Sequence, residues 1–396
     1  MRYHTTIFRQ MLQVFSRLEF QKILNRYKGD FHVKSCRCWD QMIHMVFSQF
    51  SRRDSLREMT DTMHSQYRKH YHLGVRAIPR STLSDANTRR DYRIYQDLFF
   101  LILNRVQRIA PKYKLNLDRK FFILDSTTID LCLKLFPRAR FRKTKAAVKT
   151  HTLMQADGSL PTFIRLTDGK VHDLTVSKEI PIPAGSYLAI DRAYHDFTQY
   201  KSYNDNDIRF VTLKKTNAKY RVMKHHESDK ENGILSDKKV LFTGHYTHKK
   251  YPDPLRRIRY RDSETKRKFE FLTNDFESDS LTISKIYKAR WEIEIFFKTI
   301  KQNLRIKRFI GNSSNAVWTQ IWIAMIAYLL ISYFKFVNQS KYSVGQLFHR
   351  IQVNLFERIS IDEIIFQRIY KPPGEVDIPI LSFPEFTRTL VTLISI

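Results

Sequence analysis

Two short apolar runs, each closed by a carboxylate, set the tightest limit on what this chain can fold into: Phe121-Phe-Ile-Leu-Asp125 and Tyr187-Leu-Ala-Ile-Asp191. Four apolar residues in a row, with no polar alternation, read as a strand covered on both faces, as inside an α/β sheet. A carboxylate that ends such a strand opens into the crevice at the sheet's carboxyl edge, where α/β proteins keep their ligands. The surrounding pattern predicts strands over 121–128, 147–154, 160–167, 186–191 and 208–213, with Asp157-Gly158 as a hairpin turn between the second and third. Taken singly, either Asp reads more readily as a cap or turn residue than as a ligand.

A third acid changes that balance. The spacing predicts a helix over 287–301, Tyr287-Lys-Ala-Arg290-Trp-Glu-Ile-Glu294-Ile-Phe-Phe-Lys-Thr-Ile-Lys301. At about 100° per residue, Tyr287, Arg290, Glu294 and Lys301 fall within an arc of roughly 60°. Ile293, Phe297, Ile300 and Leu304 form an apolar arc beside it that would dock the helix on a core. Glu292 stands about 160° away and is the weaker candidate. An i, i+4 ion pair between Arg290 and Glu294 accounts for part of the stripe equally well. Asp125, Asp191 and Glu294 together would make a hard-oxygen site for a pair of Mg²⁺ ions, the arrangement that serves phosphodiester chemistry.

Charge points to the partner. Lys plus Arg number 69 against 39 acids, a formal net charge of +30, and such an excess attracts polyanions with release of counterions. The cations spread over the whole chain instead of clustering on one amphipathic segment, which disfavours a membrane surface. Cys36, Cys38 and Cys132 make no disulfide framework and fit a reducing cytoplasm. The first ten residues carry no signal-peptide core. The apolar stretch 317–334 is unbroken only from Ile321 to Ile331, too short for a bilayer that needs about 20 residues. It is predicted as a buried core helix, capped by Ser313 or Asn315 and closed by Lys335.

The chain divides into a helical region over 1–112, a strand-rich region over 113–213, a basic β-rich stretch over 214–280 with candidate strands at 239–243, 258–261 and 269–273, two long helices over 281–336 and a helical tail over 337–396. In the first region, Pro79 followed by Ser81 and Thr82 signals a helix start, and Arg80, Arg89 and Arg90 would line that helix as a groove-reading element. A solvated basic face making non-specific phosphate contacts explains them as well. The 103 positions from Asp191 to Glu294 exceed what one strand and one connection need.

These pieces, in this order, resemble the DDE transposases of bacterial insertion sequences, specifically the insertion-sequence-four family. Its signature is Tyr, two residues, Arg, three, Glu, six, Lys, and it is matched at Tyr287, Arg290, Glu294 and Lys301. Leu124-Asp125-Ser-Thr looks like the strand of the first aspartate. Ala189-Ile-Asp191-Arg-Ala-Tyr194 is similar to the second, with Ala193 where Gly is commoner. Lys149-Thr-His151 and Val171-His172-Asp173 resemble the blocks between, and Cys38-Trp-Asp-Gln41, Asp54-Ser-Leu-Arg57 and Ser81 to Asn87 resemble the amino-terminal region.

The resemblance implies an α/β fold with a ribonuclease H-like catalytic core, a β-rich insertion before the last acid, and a preceding all-α DNA-binding domain. It implies that Asp125, Asp191 and Glu294 hold two Mg²⁺ (or Mn²⁺) ions, and that Tyr287, Arg290 and Lys301 contact phosphates at the cleaved end. Water would free a 3′-hydroxyl at the transposon end and that hydroxyl would attack target DNA, with the terminal inverted repeats and target as double-stranded DNA partners. A homodimer assembled on DNA, a nucleoid location and no membrane are further expectations. His151 and His172-Asp173 are candidates to contact DNA or to orient the acids, with a structural role at strand ends as the alternative. Tyr220, Tyr246, Tyr251 and Tyr260 are the insertion's candidates for stacking on a flipped base. His32, Cys36, Cys38 and His44 fit no standard zinc spacing. The competing functions are an inactive DNA-binding relic, which substitution of an acid would favour, and another two-metal nuclease on the same fold.

Overall fold

The computed structural model describes residues 5–53, 55–115, 117–131, 140–142, 145–214, 219–304, 309–311 and 313–366. Cys132, Asp54 and the segment with Pro372, Pro373, Pro379 and Pro384 lie outside them.

The strand-rich region and the basic stretch build one mixed sheet. Its strands are β1 (Phe121–Leu131), β2 (Arg140–Arg142), β3 (Lys145–Gln155), β4 (Leu160–Asp168), β5 (Tyr187–Ile190), β6 (Arg209–Leu213), β7 (Tyr220–His226), β8 (Ile234–Phe242), β9 (Leu255–Arg261) and β10 (Lys268–Thr273). The order is β2-β3-β1-β5-β6-β10-β9-β8-β7, with β4 on β3. β1, β5 and β6 run parallel, β3 lies antiparallel to β1, and β10 lies antiparallel to β6. The four strands of the basic stretch therefore continue the same sheet. Asp157-Gly158 makes the tight turn from β3 to β4, with Gly158 at φ +66. A Cβ there would meet Ala110 at 2.9 Å and Phe336 at 3.0 Å, so both backbone and space favour glycine.

Strand alternation sends side chains to two cores. Phe121, Ile123, Tyr187 and Ala189 join the larger one, under the helices; Phe122, Leu124, Leu188 and Ile190 join the smaller one, under the short helices Asp173–Ser177 and Phe197–Asp205. The apolar stretch forms the helix Ser314–Val337, with Ser313 as its cap. By length and composition this helix could cross a membrane, but 72% of its most apolar window is buried in protein. It packs on the helices Arg93–Ile109 and Cys38–Ser51, and Tyr92 stacks on Trp318 with ring centroids 5.6 Å apart. The tail helices Val344–Asn354 and Ile361–Phe366 return to the amino-terminal segment, where Gln10 bonds to Ile359 and Ile361.

Candidate active site

Asp125 does not end its strand. β1 runs on to Leu131 because its antiparallel pairing with β3 continues through Leu131, whereas its parallel pairing with β5 stops at Leu124 opposite Ile190. Asp125 and Asp191 are the next residues in each chain, so they leave the paired stretch at one level. Both follow the alternation of Ile123 and Ala189, onto the face covered by helices.

The third acid arrives from a helix that packs across β1, Trp291–Asn303. Ile293, Phe297, Ile300 and Leu304 are all buried, as the apolar arc requires. The single helix expected over 287–301 is, however, two. Ser280–Lys288 ends before Ala289, and the junction tightens to three-residue bonds, Arg290 N–H to Tyr287 O, Glu292 N–H to Ala289 O and Ile293 N–H to Arg290 O. Tyr287 and Glu294 therefore lie on successive helices, with Arg290 capping the second.

Arg290 is the hub. Its Nη1 donates to Asp125 Oδ2 at 3.0 Å and its Nη2 to Glu294 Oε1 at 2.5 Å, with side-chain exposures of 12%, 18% and 36% for Arg290, Asp125 and Glu294. The i, i+4 ion pair thus exists, extended to a second acid. The Ser126 N–H donates to Asp125 Oδ1 at 2.7 Å. Burial nevertheless pushes the Asp125 carboxyl up to about 6, with the charges of Asp191 and Glu294 adding to the effect and Arg290 and the Ser126 bond opposing it. Among the described residues no three acidic, imidazole or thiol side chains stand together as a ready ion cage. The donor set still fits a hard divalent cation: Asp125 feels the charges of Asp191 and Glu294, and one guanidinium offsets only part of the three carboxylates' charge.

Tyr287 is buried against Phe271, at 5.0 Å between ring centroids, with Arg290 over its ring at 5.8 Å. Burial pushes its hydroxyl up to about 12, so the phenol keeps its proton and can donate. Lys301 sits half-buried in the last turn of the Glu294 helix. Glu292 turns away to accept from Ser159 Oγ at 3.1 Å.

Two expected DNA contacts are corrected. His151 has no exposed side-chain surface; its Nε2 pairs with Thr167 Oγ1 at 3.0 Å, and burial lowers its imidazole to about 4. Arg90 turns inward to Gln41 Oε1 at 3.0 Å and to the Cys36 carbonyl, because the helix Arg80–Arg89 ends just before it. Arg80 and Arg89 remain exposed. Cys36 and Cys38 are free and buried, His32 is exposed, and His44 bonds to the Asp40 carbonyl, so the four do not gather around an ion. Of the four insertion tyrosines, Tyr251 is fully buried, Tyr260 stacks on Phe271, Tyr220 carries Lys214 and Arg257 over its ring, and Tyr246 is exposed. Sequence reasoning missed the group behind Asp125: Ser126, Lys149, His151 and Asp173. Its signal was present in the Lys149-Thr-His151 and His172-Asp173 blocks, for which a DNA contact, an orienting role toward the acids and a structural role were all open.

The class of protein that such a cleft suggests is borne out by comparison. Residues 116–330 match the Transposase DDE domain family, and residues 3–76 match a domain of unknown function, DUF4372. A protein of Sinorhizobium fredii named as transposase y4zB is 30% identical over 71% of this chain and 79% of its own length. A Geobacillus stearothermophilus protein named as the transposase of insertion element IS5377 is 28% identical over 63% of this chain and 66% of its own. A Synechocystis protein named for element IS4SA is 25% identical over 74% of this chain and 82% of its own. The chain belongs to the DDE transposases of insertion sequences. It is accordingly an enzyme of DNA cleavage and strand transfer, from a family that works with divalent metal ions on DNA substrates.

Proposed function

We propose that this transposase cuts and joins the ends of its insertion sequence with Asp125, Asp191 and Glu294 as the catalytic acids of a ribonuclease H-like core. The observation that carries this reading is that Asp125 and Asp191 leave adjacent parallel strands at one level while Glu294, on the helix packed against β1, shares Arg290 with Asp125. The order β4-β3-β1-β5-β6, antiparallel then parallel, supports the ribonuclease H-like assignment, with the strands after β6 as the insertion. Residues 1–112 are read as the DNA-binding region, followed by the core over 113–213 and 281–336, the insertion over 214–280 and the tail over 337–396.

Asp125, Asp191 and Glu294 would hold two Mg²⁺ ions, with Mn²⁺ as a substitute. Such ions supply an activated attacking oxygen and charge stabilisation for the leaving one. The chain's own groups do the rest. Arg290 pairs with Asp125 and Glu294 in the free protein; once these are otherwise neutralised, its planar fork suits a phosphate. Tyr287 offers a neutral hydroxyl donor beside it, and Lys301 a point charge two turns beyond Glu294. Exposed Arg80 and Arg89 are placed for phosphate or base-edge contacts in the terminal repeats, and a dimer on DNA would bring two ends together. The protein would act on nucleoid DNA in the cytoplasm.

The test uses linear DNA carrying the repeats that flank the gene, with purified protein and Mg²⁺, resolved on a denaturing gel. Wild type is expected to cut at the repeat boundary and lose the activity in EDTA. Glu294→Ala is expected to bind the ends and leave them intact. Cutting by Glu294→Ala would remove that residue from the site, and binding without cutting by wild type would favour a DNA-binding relic.

A further inference from the structure

Behind Asp125, on the opposite face of β1, lies a polar cluster that the catalytic reading leaves unused. Ser126 follows Asp125, so alternation turns its side chain to that face, where His151 is its partner in β3 and Lys149 stands two residues along, opposite Thr128. Ser126 Oγ donates to Asp173 Oδ1 at 2.6 Å. Lys149 Nζ donates to Asp173 Oδ2 at 3.2 Å and to the Val171 carbonyl at 3.3 Å. His151 Nδ1 stands 3.4 Å from Asp173 Oδ1. The Asp173 and Lys149 side chains are only 16% and 15% exposed.

Helix capping does not account for this carboxylate. The cap of Asp173–Ser177 is His172, whose Nδ1 accepts from the Leu174 N–H. That helix instead packs against the turn Arg192–Tyr194, which leaves directly from Asp191. Asp173 thus touches Ser126 beside one catalytic acid and sits on the element that borders the other.

We propose that Asp173 is a positioning residue that braces Asp125 through Ser126. The hydroxyl of Ser126 is tied to Asp173 behind the sheet while its N–H holds Asp125 Oδ1 in front, at 2.7 Å. Fixing Ser126 from behind fixes the rotamer that Asp125 presents to a cation. Lys149 neutralises Asp173 so that the brace adds no net charge beneath the cleft. This inference rests on the reading of Asp125 as a metal-binding acid.

The experiment is a titration of the full-length protein with Mn²⁺ alone, without DNA, followed by the electron paramagnetic resonance signal of the free ion. Wild type is expected to bind, and Asp125→Asn to lose that binding. Ser126→Ala and Asp173→Ala should each weaken it by roughly 10–100-fold, the usual effect of losing a group that orients a ligand. The double variant should be no weaker than the weaker single one, because both act through one hydrogen bond. Ser126→Thr, which keeps the hydroxyl, should restore wild-type affinity. Ser126→Ala removes a single oxygen and is expected to stay folded with a melting temperature lowered by only a few degrees, so it decides the matter even if Asp173→Ala misfolds. Wild-type affinity in Ser126→Ala, or losses that multiply in the double variant, would overturn the brace. Binding that survives Asp125→Asn would overturn the metal site itself, and the brace with it.

Discussion

At the scale of single residues, Asp125 carries a cost that the proposed metal-binding role would explain. A carboxyl whose folded value is raised to about 6 holds its proton in the native state at pH values where the unfolded chain, near the ordinary 3.8, has lost it. Between those values the native state binds more protons, so stability falls as pH rises through the window and stays lowered above it. Asp125→Asn removes the ionisable group but keeps an acceptor for Arg290. In chelator, at about pH 8, it is expected to be more stable than wild type by roughly 1–3 kcal/mol, with the difference vanishing below about pH 4. Thermal melts of both proteins across that range check this; a variant less stable at every pH would show that Arg290 already compensates the charge. His151 has the opposite sense: its lowered value favours the native state above the ordinary imidazole range, and that stability is lost as pH falls toward 4.

At the scale of elements, side chains that bridge segments distant in the chain hold the site's frame. Asn315, one residue into the helix Ser314–Val337, donates to the carbonyls of Asn87 and Arg90, and its Oδ1 accepts from the Tyr92 N–H at 3.2 Å. These bonds satisfy backbone groups in the last turn of the helix Arg80–Arg89 and in the connection to Arg93–Ile109, which no helix ladder reaches. Asn315→Ala should cost about 1–3 kcal/mol, because it strands partly buried polar groups. Urea unfolding monitors it, and a midpoint equal to wild type would mean that water replaces the amide at no loss. The expected cap at this helix was left open between Ser313 and Asn315; Ser313 caps, accepting from Ala316 N–H, which frees Asn315 for the cross-link.

At the scale of the whole molecule, the amino-terminal helices and the catalytic region share one apolar core. Phe99 and Phe100 pack on Trp322, Phe50 stacks on Phe348, and Phe47 and Phe8 meet Phe356. Residues 1–112 alone would leave these faces in water, at a cost that grows with each exposed aromatic. The isolated fragment is therefore expected to keep helical far-ultraviolet dichroism, lose near-ultraviolet signal and bind a hydrophobic dye. A fragment that melts cooperatively and excludes the dye would mark it as an independent domain. The net charge of +30 makes DNA attraction a property of the entire surface, so end recognition must come from particular contacts laid over it.

Local rules made much of this protein legible. The apolar runs before Asp125 and Asp191, the signature spacing from Tyr287 to Lys301, and the buried stretch around Ile321 to Ile331 all depend on neighbours within a few residues, where periodicity and capping operate. The strand β7 went unseen because it is an edge strand whose side chains are mostly exposed, so no alternation marks it. Which partner each polar group meets depended on the folded chain. Arg290 lies 165 positions from Asp125, and Asp173 lies 47 from Ser126. His151 and Arg90, polar in sequence and expected at the DNA, are turned inward by strand register and by the end of a helix. Charge and periodicity act along the chain, whereas pairing and burial are set only when the sheet, its covering helices and the returning tail close on one another.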